Sequence, residues 1–435
     1  MVNQELYKRA KDFVIASLNI LEKNAKQGIV VSKRKITIRI FEENGGMQLA
    51  EKDSPLYESN AFVDAFGGEV YNSDAAKALA DFLLESKSVS GSTKDEKELE
   101  SQNWSIRHNH LRSFLTGYID RVGSLKLDDG EFDKSYKEFE EYFSSTKSSY
   151  VAIAPLNNFE SESSEIDFGN GLKIRQITEN EFDLLHRIAT NNHSSFGGFS
   201  FPEILGVKYV LELQYEANKN SYGGEYGRPF EMLISALRIY KSGQVRYNTT
   251  VVRAGGWQPY GGIVTTSNTE KKMLFGDLYK VDAQETTELK EFWNIFKQFD
   301  FNRNKFLDIA IMRLNYAYER PKLEDKLIDF FISLEAMFLT GSEKSELRYR
   351  LAIRMAKFLG TTPENKNQIF GDIKKAYRLR SEVVHGVSVI NQQEVSGLTP
   401  KIENYTRRSI RDFIDELKTK SYETIMSNLD TTIFT

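Results

Sequence analysis

From about Thr286 onward the apolar residues of this chain recur only at helical spacing, and that pattern constrains the fold more than any other feature. Leu327, Phe331, Leu334 and Phe338 fall at i, i+4, i+7 and i+11, a single buried stripe along one helix. The spacing predicts helices at Thr287–Phe299, Asn304–Tyr318, Leu323–Leu339, Ser345–Leu359, Asn365–Val384 and Ile402–Lys418. Ile373, Tyr377 and Val384 make the stripe of the fifth. Helices with stripes of this kind bury them against one another, so residues 286–435 are expected to form an all-α bundle.

Upstream the pattern is mixed. In residues 1–147, helices are expected at Gln4–Asn24, Ala75–Leu84, Leu111–Val122 and Glu131–Phe143. Val30–Phe41 sets Ile36, Ile38 and Ile40 at period two, a strand signal. Glu85–Gln102 is rich in Ser, Lys and Glu and reads as a mobile linker. A break is expected at Ser144–Ser149. Residues 148–285 then read as an α+β domain. Its strands are Tyr150–Leu156, Leu172–Ile177, Val207–Tyr215 and Val245–Arg253, and its helices Glu179–Ile188 and Glu231–Ser242. Gly pairs at 197–198, 223–224, 255–256 and 261–262 mark turns. The whole is an α+β multidomain chain: mixed α/β N-terminal regions followed by a helical bundle.

Several function classes drop out. The chain has no Cys, which excludes thiol nucleophiles and thiolate metal sites. No phosphate-binding GxxxxGK[ST] loop, GxGxxG or HExxH motif is present. His108-Asn109-His110 lacks a third ligand and reads as a loop, so no metal and no cofactor is expected. The absence of a long apolar run and of a signal-like start points to a cytoplasmic protein without membrane partners. The formal net charge is −4, yet Glu343–Arg380 carries ten Lys/Arg against four acids, a local excess of +6 able to attract a phosphate backbone.

That basic segment runs into Arg380-Ser381-Glu382-Val383-Val384-His385-Gly386. An Arg followed by a His after four to six residues is a weak pattern alone, and Arg187 with His193 also fits it. Only the copy at 380–385 ends a strong helix. Helix phase puts Arg380 on an apolar stripe and Arg378, Ser381 and His385 together on another face. Two readings follow. In one, His385 moves a proton near neutral pH while Arg380 stabilises negative charge on phosphorus during metal-free RNA cleavage. In the other, Arg380 is a core arginine paired to an acid such as Glu335, and His385 caps the helix.

Three ordered blocks extend the motif: Asp325–Ala336, Glu346–Arg354 and Tyr377–Gly386. Together they resemble the Apea-like branch of the HEPN superfamily. The resemblance implies an all-α domain that dimerises, with two Arg-x4-6-His motifs facing each other, and an endoribonuclease of prokaryotic anti-phage or toxin-like defence. By position it implies Arg380 and His385 as the catalytic pair, with Ser381, Glu335 and Arg354 in support. Lys374, Lys375 and Arg378 are the expected RNA contacts, and the expected partners are RNA and a second copy of the chain. The family commonly places Asn or Asp after the Arg; this chain has Ser381. The alternative is a catalytically silent bundle that dimerises and binds RNA or nucleotide.

Overall fold

The computed structural model describes residues 3–25, 32–41, 46–85, 96–191, 204–219, 226–258, 263–267, 277–339, 346–386 and 391–431. Helix α1 (Gln4–Ala25) leads into an antiparallel hairpin, β1 (Ser32–Phe41) and β2 (Met47–Glu58). Helices α2 (Asn60–Ala65), α3 (Gly67–Tyr71), α4 (Asp74–Glu85), α5 (Glu96–Ser105), α6 (Arg112–Val122) and α7 (Asp129–Ser144) follow. Their apolar faces meet in one core built from Phe13, Val63, Leu79, Phe114, Phe132 and Phe139, among others.

The period-two pattern of the middle region builds a six-stranded antiparallel sheet in the order β5-β6-β7-β3-β8-β9. The strands are β3 (Lys147–Leu156), β5 (Glu165–Gly169), β6 (Leu172–Gln176), β7 (Tyr209–Asn218), β8 (Thr249–Ala254) and β9 (Ile263–Ser267). A short β4 (Phe159–Ser161) pairs in parallel with β10 (Tyr279–Val281). Alternation divides the sheet's two faces. Ala152, Ala154, Leu172, Ile174, Leu211 and Leu213 point to one core, whereas Ile153 and Val251 pack with Phe182 and Leu185 of α8 (Glu179–Asn191).

Helix α9 (Gly227–Tyr240) covers the first face and in turn packs on the C-terminal helices. These are α10 (Ala283–Phe296), α11 (Lys305–Glu319), α12 (Leu323–Phe338), α13 (Leu347–Leu359), α14 (Pro363–Val384), α15 (Gln392–Glu416) and α16 (Tyr422–Thr431). Their starts are chemically marked. Asp282 and Glu285 form a reciprocal capping box at α10, and Thr362 caps α14 with Pro363 in its first turn. From residue 283 to 431 every regular element among the described residues is helical. One continuous apolar core joins the sheet face, α9 and this helical unit, from Tyr150 to Leu429. No helix among the described residues is long and apolar enough to cross a membrane.

Several expectations need correction. Residues 86–95 of the proposed linker lie outside the described residues and its end, from Glu96, is helical in α5; the chain passes from α7 to β3 at Lys147 with only two residues between them. His108-Asn109-His110 is not a loop but lies in a π-helical turn, Ile106–Leu111. His108 stacks on Trp104 at 4.4 Å, and half-buried His110 packs near Tyr142, Phe143 and Trp257. Desolvation pushes the His110 pKa down to about 4. Val384 is 53% exposed, so the stripe of α14 ends before it. The first two residues of the expected strand at 30–41 lie outside the described residues, as do His193 and the Gly pairs at 197–198, 223–224 and 261–262.

Candidate functional site

The end of α14 positions the Arg/His pair. His385 is the C-cap: its N–H donates to the Ser381 carbonyl at 3.0 Å. Gly386 follows at φ +68°, a left-handed turn that glycine adopts without steric cost. The His385 side chain is exposed and has no hydrogen bond or ion pair among the described residues. Five positions on an α-helix turn a side chain by about 140°. Arg380 therefore points away from His385, into the seam with α12.

There Arg380 meets Glu335 at 3.5 Å, with about a quarter of each side chain exposed. That distance is at the long end for a hydrogen bond. Its guanidinium carbon lies 5.6 Å from the Tyr377 ring centroid, and its Nε is buried without a partner among the described residues. The Tyr377 side chain neighbours the same carboxylate. Burial raises the Glu335 pKa, and the Arg380 charge and the Tyr377 contact oppose that rise without cancelling it. Glu335 thus sits beside Arg380, an arrangement of the core-arginine kind, while His385 is exposed at the helix end with no partner among the described residues.

The other expected residues are dispersed. Arg354 is 2% exposed; its Nε and one terminal nitrogen grip Asp430 at 2.8 and 2.9 Å, and the other terminal nitrogen donates to the Phe338 carbonyl at 2.7 Å. That is the bonding of a bundle strut between α12, α13 and α16. Arg378 bridges Glu382 at 2.8 Å and Glu394 at 2.7 Å. Lys374 leans over the Phe370 ring at 5.0 Å, and Lys375 is exposed. Ser381 is half-buried, one turn before His385. The +6 counted along the sequence is therefore reduced in space, because Glu335, Glu394 and Asp430 from outside the segment neutralise part of it.

The second Arg/His match separates from the first. Arg187 pairs at 2.9 Å with Asp183, a carboxylate with no exposed surface, and donates to the Lys35 carbonyl. Asp183 also accepts from the Thr37 N–H at 2.9 Å, so together these two α8 side chains close the outer edge of β1. Sequence reasoning missed Tyr377 as the third member beside Glu335 and Arg380. Its position three residues before Arg380 was the available signal. No group of three or more His, Asp or Glu suited to a metal occurs among the described residues. No protein-family model, characterised protein or solved structure matches this chain.

Proposed function

We propose that the chain is a metal-independent endoribonuclease of the HEPN type, acting in prokaryotic anti-phage or toxin-like defence in the cytoplasm. The observation that carries the reading is the free His385 at a rigid helix end, one and a half turns beyond an arginine with unspent donors. In one chain the two side chains diverge, so the reading places the active site where two copies meet, each giving Arg380 and His385. The exposed Val384 beside His385 suits such a contact. In the reaction the ribose 2′-oxygen bonds to phosphorus and the bond to the 5′-oxygen breaks. One His385 accepts the 2′-hydroxyl proton, the other returns a proton to the 5′-oxygen, and Arg380 stabilises charge on the phosphoryl oxygens.

The Arg380–Glu335 contact favours a second reading, a silent bundle that dimerises and binds RNA or nucleotide. One experiment separates them. Incubating the full chain with single-stranded RNA and EDTA is expected to give fragments ending in 2′,3′-cyclic phosphate. His385→Ala is expected to lose at least about a hundredfold in rate, as general acid–base catalysis implies, while remaining dimeric by light scattering. RNA retained intact by the wild-type chain, or cut equally by the variant, rejects the catalytic reading.

A further inference from the structure

A cleft of about 370 Å³ opens where α7, the start of β3, the end of β7 and the Gly255–Gln258 segment meet. It shares no residue with the end of α14. Glu138, Glu141 and Glu216 line it, against a single Lys147. Arg121 holds Glu138 at 2.7 Å, whereas Glu141 and Glu216 are exposed and have no ion pair among the described residues. Tyr142 and Trp257 supply an aromatic corner, edge to face at 5.1 Å. The Tyr142 ring already receives one ammonium, since Lys219 Nζ stands 4.6 Å from its centroid.

Gln258 adds an observation independent of the acids. It is 7% exposed, and its amide nitrogen reaches Ser148 Oγ at 3.3 Å. Its Oε1 is left buried with no donor among the described residues. A buried acceptor without a hydrogen bond is costly, and a ligand N–H removes that cost. Two carboxylates and one acceptor without partners among the described residues, together with two aromatic rings, are complementary to a cation that carries N–H groups, and the carboxylates repel phosphate.

We propose that this cleft binds a small organic cation, a primary ammonium or guanidinium. Glu141 and Glu216 supply the counter-charge, Tyr142 and Trp257 the apolar walls, and Gln258 Oε1 one hydrogen bond. One wall belongs to α7 and the other to the sheet, so the occupant bridges the N-terminal unit and the sheet unit. This inference does not depend on the ribonuclease reading.

The test is calorimetric titration of the full chain with agmatine, which carries both cation types, and with spermidine and inorganic phosphate, in about 150 mM salt to screen surface charge. Saturable one-to-one binding of agmatine is expected, with no heat from phosphate. The exposed double variant Glu141→Gln/Glu216→Gln is expected to weaken agmatine by about tenfold or more. Absence of saturable agmatine and spermidine binding, or equal affinity in the folded double variant, overturns the proposal.

Discussion

Two arginine–glutamate clusters in this molecule are built from the same groups and behave as opposites. Beneath α8, Arg175 donates from Nε to Glu212 at 2.7 Å and from its two terminal nitrogens to Glu181 at 2.6 and 2.8 Å. Lys173, Gln214 and Thr178 fill the remaining acceptor positions. Burial acts to raise both carboxyl pKa values there, yet the hydrogen bonds and the Arg175 charge outweigh it and hold both below the usual range. Arg380 has one long contact, an unpaired Nε, and a glutamate held above the usual range. A saturated guanidinium is a strut. An unsaturated one keeps donors for something else.

The widest separation is expected on removing the arginines. Arg175→Met leaves Glu181 and Glu212, 2% and 3% exposed, without their main counter-charge, and is expected to cost about 3–5 kcal/mol in urea unfolding. Arg380→Met is expected to cost about 1 kcal/mol or less, because Glu335, about a quarter exposed and already favouring its neutral form, takes up a proton or water. Equal losses would erase the distinction between the clusters.

A partly buried histidine gives the next largest effect. His110 binds its proton more weakly folded than unfolded, so between pH 6.5 and about 4 the unfolded chain takes up more protons. Its contribution is intact above pH 6.5 and is lost as pH falls through that window, by about 3 kcal/mol. His110→Gln is expected to flatten that part of the stability–pH curve, and an unchanged slope would reject the assignment.

Neutralising the two glutamates returns to the comparison with opposite signs. Glu181 is held low, so its stabilising charge is present above its unfolded pKa and lost on acidification. Glu181→Gln is expected to cost about 2 kcal/mol at pH 7. Glu335 is held high, so its charged form is disfavoured by folding as pH rises. Glu335→Gln is expected to lie within about 1 kcal/mol of wild type, on the stabilising side. Matching shifts in chemical denaturation would show that both glutamates serve one structural purpose.

Helix phase made much of this legible. The stripe of Leu327, Phe331, Leu334 and Phe338 is wholly buried. Tyr150–Leu156 falls within β3, and the expected strand at Leu172–Ile177 matches β6 up to Gln176. The same rule put Arg380 on the inward side and His385 outside. It failed where tertiary context overrides local chemistry. Strand β2 carries Glu51, Lys52, Asp53 and Pro55, turn-like residues tolerated because this ribbon is mostly exposed. Helix α15 starts ten residues earlier than expected and passes through Pro400, which reads as a breaker. Glu138 and Glu141 lie far from Glu216 along the chain, and only the meeting of α7 with the sheet gathers them.

The continuous core has a consequence for the chain as it is made. The N-terminal core draws its fully buried residues from Leu6 to Phe143 and is able to close early. The core that begins at Tyr150 is completed only by Ile425, Met426 and Leu429. At roughly 5–20 residues per second, the sheet and α9 leave the ribosome tens of seconds before their last covering helix. For that interval an apolar surface stands open, so a stalled or truncated chain would be a ready target for chaperones and proteases.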